Sequence, residues 1–404
     1  MLNYKEALDK IFEQISSISK TKELVKLDDS LGRILAEDVI SDIYLPPFNN
    51  SAMDGYAIKY QSDMRCWAVV DEISAGNYKD VSIDTNCSVS IMTGAKLPEG
   101  YDTVIPIEDC IFDGNTISVT QEYKLKKGNN TRLMGEDLLQ GSIAIPVGKV
   151  LKSNNISIAA ACGKSSICVY SKLKVGVFAT GDELVSVDTI PTNDQIRSSN
   201  LDTIIASIKE MNMIPVDFGI ISDKQELIEN QLMKALNYDI DILITTGGVS
   251  VGKFDFMQNA LKSIVAEIQF WKVNIKPGKP FLFSIFNKNE GKTIPIFSLP
   301  GNPVSSYVNF IVFVRKAIQR VYGLPDNDVF FAKLNTPIKK NDNKLHFVLA
   351  KCKFDFENKY YEAEIAGSQS SGKMSTMSNS DCLIFFPEEL NELSKGAWVK
   401  CMKI

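Results

Sequence analysis

Two periodicities divide the chain. Tyr4-Lys-Glu-Ala-Leu-Asp-Lys-Ile-Phe12 and Asp29-Ser-Leu-Gly-Arg-Ile-Leu-Ala36 space their apolar residues as helices do, so residues 1 to about 40 are expected to be helical. From Pro46-Pro47 to about Gly141 the pattern becomes short alternating runs broken by Gly, Asn and Asp, which predicts a β-rich insert. Ile156-Ser-Ile-Ala-Ala-Ala-Cys-Gly163 returns to helical character and could pack back on the first helical piece. Leu173–Thr180 then opens a βαβ rhythm. Helix is expected at Leu201–Met213 and Gln225–Leu236, strand at Ile214–Ile221 and Asp241–Thr245, and another helix after Asp255. Strands are expected at Trp271–Ile275, Pro280–Phe286 and Ile294–Leu299, and a long helix from Val304 to about Tyr322. Alternation of this kind predicts a mostly parallel, helix-covered sheet. Beyond Gly323 the segments Leu345–Leu349, Tyr360–Ile365, Asp381–Phe386 and Ala397–Met402 alternate again, suggesting a small β-barrel or sandwich.

The expected fold is therefore multidomain α+β. Residues 1–45 with 142–172 form a discontinuous helical domain, 46–141 the insert, 173–322 the α/β domain and 323–404 the β-barrel. A chain of 404 residues with 45% hydrophobic and 23% charged residues fits several soluble domains. The net charge of −5 gives no electrostatic case for broad nucleic-acid binding. No apolar stretch is long enough to span a bilayer, and the first residues lack a secretory leader's apolar core, so a cytoplasmic protein is expected. The eight cysteines are scattered without a Cys-x-x-Cys pair, which argues for reduced thiols and against a structural zinc site. His346 is the single histidine, read as an ordinary strand residue. Any chemistry must run on carboxylates, lysines, hydroxyls and backbone.

Six runs carry candidate chemistry. The arc from Thr245 to Lys279 begins with Gly247, Gly248 and Gly252 after a buried strand, passes a helix start at Asp255, and closes with Lys276-Pro-Gly-Lys279. Close-approaching amides and fixed cations at such a turn make an anion nest. Thr180-Gly-Asp-Glu-Leu follows another strand, where its acids suit Mg²⁺ or a substrate position; acidic first-turn residues of a helix are the alternative. Ser298-Leu-Pro-Gly-Asn-Pro-Val-Ser-Ser306 follows a third, with Asn302 as a cap before Pro303 and Ser305 and Ser306 as oxyanion donors. The turns at Gly181, Gly247 and Pro300 all fall at strand ends and so can face one cleft. In the insert, Asp54 precedes Gly55 in either a presented carboxylate or a plain hairpin, Thr93 sits in a polar turn, and Arg132-Leu-Met-Gly-Glu-Asp137 sets an arginine and two acids around a glycine.

Taken in order, Ser-Ala-Met-Asp-Gly-Tyr-Ala, Met-Thr-Gly-Ala-x-x-Pro-x-Gly, Gly-Glu-Asp, Thr-Gly-Asp-Glu-Leu, Gly-Gly-Val-Ser-Val-Gly-x-x-Asp, Lys-Pro-Gly-Lys-Pro and Leu-Pro-Gly-Asn-Pro-Val-Ser resemble the molybdopterin molybdenumtransferase family, which includes MoeA and the E domain of gephyrin. The resemblance runs from about residue 5 to the end. It implies Mg²⁺-dependent insertion of molybdenum from molybdate into adenylylated molybdopterin, with release of AMP. It also implies a homodimer whose active cleft joins the insert of one subunit to the α/β domain of the other, and a molybdopterin adenylyltransferase upstream. By the same resemblance Asp54, Thr93, Asp137, Glu183 and Asp255 are catalytic candidates. Gly247, Gly248, Ser250, Gly252, Lys276, Lys279, Pro300, Gly301, Ser305 and Arg132 are ligand-binding candidates, and Glu183, Asp223 and Asp255 candidate metal ligands. Two departures are visible: Ser198 stands where the family commonly has an acid, and the paired acids after the second strand survive only as Asp223, followed by Lys224. The rival readings are a molybdopterin adenylyltransferase, whose α/β domain is alike, and a non-catalytic scaffold of the gephyrin type.

Overall fold

A computed structural model of the chain describes residues 1–81, 84–249, 256–288 and 291–404. Contacts divide it into two compact units, Leu24–Val169 and Met1–Glu23 with Tyr170–Ile404. The first helix, α1 (Tyr4–Ile15), belongs to the second unit. It starts on Asn3, whose side chain accepts from the Glu6 amide at 2.9 Å while Glu6 reaches back to the Asn3 amide at 2.8 Å.

The Leu24–Val169 unit is built on a sheet of β1 (Gly55–Ile58), β2 (Cys66–Ile73), β3 (Cys87–Ile91), β4 (Thr103–Pro106), β5 (Ile111–Phe112) and β6 (Thr116–Ser118), in the order β4-β1-β3-β2-β6-β5. Both faces of β1 are buried: Ala57 packs with Ile73, Val89 and Val104, while Tyr56 and Ile58 pack with Trp67, Ile105 and Ile117. Helix α2 (Ser153–Ala161) packs with Leu35, Val39 and Ile145 in a separate small core. The helix expected at Asp29–Ala36 does not form. Only a 3₁₀ turn occurs, at Leu27–Asp29, because Gly32 adopts φ 72° and the chain then bonds across: Leu35 N–H donates to Lys149 and Leu151 N–H to Arg33.

The βαβ rhythm is present as expected. β7 (Lys174–Thr180), α3 (Ser199–Glu210), β8 (Ile214–Ile221), α4 (Gln225–Asn237), β9 (Ile242–Thr246), α5 (Phe256–Ser263), β10 (Glu267–Trp271), β11 (Leu282–Asn287) and β12 (Thr293–Leu299) give one six-stranded sheet. Its order is β8-β7-β9-β12-β11-β10, parallel from β8 to β12 and antiparallel across the last two pairings. Strand β9 is an unbroken buried run because helices cover both faces. On one side α4 and α5 bury Ile228, Leu232, Met257 and Leu261 against Phe178, Leu243 and Ile296. On the other, Phe281 stacks on Phe313 with ring centroids 4.5 Å apart. The expected strand at Trp271–Ile275 is instead split, since Trp271 ends β10 and Ile275–Lys276 pairs with the next domain.

The long helix runs as α6 (Pro303–Asn309), a π-helical stretch at Phe310–Val314, and α7 (Arg315–Val321). Its π stretch meets α1, where the Tyr4 hydroxyl donates to the Val312 carbonyl. Strands β13 (Val329–Leu334), β14 (Leu345–Asp355), β15 (Tyr360–Ile365), β16 (Cys382–Phe386) and β17 (Trp398–Lys403) close into a five-stranded barrel, because β14 pairs with both β15 and β16. Sequence reading missed β13, whose Val329-Phe-Phe-Ala-Lys-Leu334 lacks a clean alternation. The multidomain α+β class, the mostly parallel central sheet and the C-terminal barrel expected from the sequence are observed, whereas α1 groups with residues 170–404 and α2 with residues 24–169. Among the described residues no helix is long and apolar enough to cross a membrane.

Candidate functional site

The carboxyl ends of β7, β9 and β12 open into a cleft of about 390 Å³, as expected for a parallel sheet. It is lined by Thr180, Glu183, Asp223, Gly247, Gly248, Pro300 and Gly301, with Ser198, Ser199 and Asn200 at the start of α3 and Asn302 and Pro303 at the start of α6. Three turns far apart in sequence thus meet. Gly247 adopts φ 95°, and a Cβ there would lie 2.2 Å from the Thr180 carbonyl oxygen. Gly248 adopts φ 67° with Thr180 Oγ1 3.1 Å from its would-be Cβ. The glycines let the backbone lie against β7, with the Gly247 N–H donating to the Leu299 carbonyl at 3.1 Å, and two helix N-termini at the cleft add positive potential.

The other wall is acidic. Thr180-Gly-Asp-Glu-Leu begins no helix: it turns at Gly181, where Leu184 N–H donates to the Gly181 carbonyl, and continues as a short strand, Leu184–Val185, paired with Ile196–Arg197. That turn brings Asp182 Oδ1 within 3.1 Å of the Asp223 amide, which donates to it. Asp223 Oδ1 is buried and makes no hydrogen bond among the described residues. Burial raises the Asp223 carboxyl above its ordinary pKa, the nearby Thr180 hydroxyl pulls it part of the way back, and the charges of Glu183 and Asp182 push it up further.

Sequence reading missed the role of Asn200 and took Ser198 only as a departure from the family's acid. Asn200 Nδ2 donates to the Gly301 carbonyl at 2.8 Å, tying α3 to the turn before α6, and Ser198 Oγ is buried without a partner among the described residues. Asn302 occupies the cap position before Pro303 but makes no side-chain cap bond. Ser305 is buried on α6, as is Ser306, whose Oγ has no partner among the described residues. Ser250, Gly252 and Asp255 lie outside the described residues.

Lys276 is not in this cleft. It lines a second cavity of about 360 Å³ with Pro277, Val304, Lys339, Lys340, Asp342 and His346. His346 Nε2 lies 2.7 Å from Asp342 Oδ1, and the Lys276 ammonium 3.8 Å from Asp342 Oδ2. The histidine read as an ordinary strand residue is thus part of a polar cavity. Lys340 spends its donors on the carbonyls of Lys344, Pro387 and Glu388, and Lys339 pairs with Glu392 at 3.2 Å, so Lys276 is the cation best able to meet an anion. Lys279 is exposed, next to Pro280 of the first cleft.

Within the Leu24–Val169 unit the three insert runs converge. Arg132 pairs with Asn50 and Thr131 with Ser51, while Ser51 exchanges backbone bonds with Gly94 and Ala95. Gly55 is required after Asp54, because a Cβ would lie 2.0 Å from the Ile105 carbonyl oxygen. Thr93 donates twice to Asp54 Oδ1, from its amide at 2.7 Å and its hydroxyl at 2.9 Å. Those bonds, the amide's first, hold the exposed Asp54 carboxyl below its ordinary pKa. Arg132, Glu136 and Asp137 line a separate open cavity of about 560 Å³ with Leu45 and Asn154.

A prediction follows from the glycines. Gly247→Ala must displace the β7 backbone and is expected to cost about 2–4 kcal/mol. A Cβ at Gly301 would meet nothing closer than Gly247 Cα at 3.8 Å, so Gly301→Ala should keep stability within about 0.5 kcal/mol and act on ligand affinity instead. Thermal melts of the two variants check the difference.

A mostly parallel sheet with a glycine-walled, acid-rimmed cleft, in a chain that also carries a β-rich unit and a barrel, defines a multidomain α/β protein suited to a phosphate-bearing ligand. Comparison with known proteins makes this particular. The MoeA N-terminal region (domain I and II) matches residues 2–163, a probable molybdopterin binding domain matches 176–320, and the MoeA C-terminal region (domain IV) matches 332–404. The molybdopterin molybdenumtransferase of Haemophilus influenzae is 34% identical over 409 residues, covering 99% of this chain and 98% of that protein. A Staphylococcus epidermidis protein of the same name is 34% identical over 329 residues, 80% of this chain and 76% of its own. The crystal structure of the molybdopterin biosynthesis MoeA protein from Pyrococcus horikoshii OT3 matches over 100% of both chains with a TM-score of 0.84 at 26% identity. The chain belongs to the molybdopterin molybdenumtransferase (MoeA) family, a family of transferases.

Proposed function

We propose that the protein inserts molybdenum from molybdate into molybdopterin, taking the adenylylated pterin as substrate and releasing AMP. The observation that carries this reading is the cleft at the ends of β7, β9 and β12, where a glycine turn and two helix N-termini oppose a buried carboxylate. A phosphoanhydride needs both: N–H donors for its oxygens and an acidic position for a charge-neutralising cation. The matches at 2–163 and 332–404 lie outside the α/β domain, which favours this reading over an adenylyltransferase.

Mg²⁺ fits the acidic wall. Asp223 offers a buried oxygen without a hydrogen bond among the described residues, with Glu183 lining the same cleft, a hard-oxygen set of the kind this ion takes. Bound there it supplies neutralisation of the phosphate oxygens. The chain does the rest. The Gly248 turn and the starts of α3 and α6 hold the phosphates, Gly247 shapes that turn with its own N–H given to the Leu299 carbonyl, and Ser198 and Asn200 orient the ligand from the α3 side. Water adds to phosphorus as the bond to the pterin phosphate breaks, freeing AMP. The two dithiolene thiols then displace one oxo group of molybdate as water, with no change in molybdenum oxidation state. Lys276 is our choice for holding the molybdate dianion, with Ser305 and Lys279 as weaker candidates. Asp54 is ionised and fixed by Thr93, and its depressed pKa suits accepting hydrogen bonds or meeting a cation rather than taking up a proton. Arg132 and Asp137 are assigned to ligand positioning.

An adenylylated substrate must be supplied by an enzyme that transfers AMP to molybdopterin, so we propose a molybdopterin adenylyltransferase upstream. We further propose a cytoplasmic homodimer. Eight free thiols suit a reducing compartment, and the exposed Leu133, Met134, Leu139 and Ile143 suit self-association. The test is incubation with adenylylated molybdopterin, Mg²⁺ and molybdate. AMP and pterin-bound molybdenum are expected in equal amounts. Adenylylation of free molybdopterin from ATP, or binding with neither product, sinks the reading.

A further inference from the structure

Three cysteines far apart in sequence meet inside the C-terminal barrel. Cys352 lies on β14, Cys382 on β16 and Cys401 on β17, and their sulfurs all lie within 4.8 Å of one another. Strand register explains the meeting. Cys382 pairs with Ala350, two positions before Cys352, and Cys401 pairs with Ile384, two positions after Cys382. Such diagonal placement keeps all three on one face of the wall. That face is the interior: Ala350, Cys382, Ile384 and Cys401 are buried in the barrel core, and Cys352 packs against it while staying partly exposed.

The sulfurs have little else to do. Cys352 and Cys382 approach to 2.9 Å, and the remaining contacts are long ones to the carbonyls of Ala350 at 3.6 Å and Val399 at 3.8 Å. The backbone around them is pinned, since the Cys352 amide donates to Asp381 Oδ1 at 2.7 Å. Among the described residues this is the group of three cysteine, histidine or acidic side chains whose ligand atoms come so close.

We propose that Cys352, Cys382 and Cys401 bind one thiophilic d¹⁰ metal ion, Zn²⁺ or Cu⁺, as a trithiolate site. Thiolates select such ions over the hard cations that carboxylates take. Sulfurs bound at about 2.3 Å stand roughly 4 Å apart, inside the 4.8 Å that encloses the three here, so that on binding the 2.9 Å Cys352–Cys382 pair opens. Binding replaces three S–H bonds with three metal–sulfur bonds and releases three protons. One negative charge remains with Zn²⁺ and two with Cu⁺. The partly exposed side at Cys352 gives the ion a way in, and for Zn²⁺ leaves a fourth position open to water.

The test uses the full chain, stripped with a chelator under anaerobic, reducing conditions and then given either Zn²⁺ or Cu⁺. One ion is expected per chain, surviving gel filtration, with about three protons released per ion in a weakly buffered titration. Retention against a competing chelator tells which ion the site prefers. Cys401→Ser and Cys352→Ser should each weaken binding by more than the roughly 10–100-fold that loss of an outer-shell partner costs. Cys66→Ser, at an exposed position in the other unit, should not. Cys352→Ser keeps the test usable if changing the buried Cys401 unfolds the barrel. Retention of neither ion, binding unchanged in Cys352→Ser, or a Cys352–Cys382 disulfide as the form isolated under reducing conditions each overturns the proposal.

Discussion

Asp223→Asn is expected to fold at least as stably as the parent and to lose about a hundredfold or more of AMP release. The two effects share a cause. Asp223 sits in a place that disfavours its charged form, through burial first and then repulsion from Glu183 and Asp182. Its native pKa is raised, so the native state holds the proton more tightly than the unfolded chain does. The penalty is therefore absent at acid pH, grows as pH rises through and above the ordinary carboxylate range, and persists at neutrality. An amide of the same shape removes it, so the variant's advantage in melting temperature should appear near pH 7 and vanish in acid. The same substitution removes a hard anionic oxygen, so half-saturation with Mg²⁺ should move to much higher concentration. Melting curves at two pH values and an Mg²⁺ titration of AMP release check both halves. A variant that melts lower at pH 7, or one that keeps its Mg²⁺ requirement, removes Asp223 from the proposed role.

The α/β core was legible because parallel strands buried on both faces are plain apolar runs: Ile242–Thr246 has no exposed residue and could be little else. The turns that follow β7, β9 and β12 were legible as one cleft because the βαβ rule sends them to one edge. What failed depended on partners distant in sequence. Asp29–Ala36 has helical spacing, yet its amides and carbonyls are claimed by residues near 150 and Gly32 turns the chain out of register. Lys276 reads as part of the glycine arc, but pairing of Ile275–Lys276 with β14 carries it to another cavity beside His346. The three barrel cysteines carry no spacing signal at all, since only strand register brings them together. Asn200 could have been suspected, as a polar residue at a helix start.

Asp54→Asn is expected to be folded, soluble and nearly inactive in molybdenum uptake, by about 10²–10³-fold. Thr93 makes both its bonds to Oδ1, and an asparagine oxygen can accept the same two, so the turn should survive. What disappears is the negative charge, in a group that the Thr93 amide and hydroxyl keep ionised below the ordinary range. Thr93→Val separates geometry from charge. It removes the hydroxyl bond but keeps the backbone N–H, the larger of the two causes, so the Asp54 pKa should rise only part of the way. Because the ionised form is the one required, activity is lost as pH falls through that pKa. The acid limb of the pH profile should thus move to higher pH in Thr93→Val while uptake at neutrality is largely kept. At pH 7 the order of damage should be Asp54→Asn far beyond Thr93→Val, read as molybdenum bound per pterin at limiting molybdate. Equal damage from both would make the Thr93 hydroxyl the group that meets the ligand, and normal uptake by Asp54→Asn would leave the carboxylate without a part in the reaction.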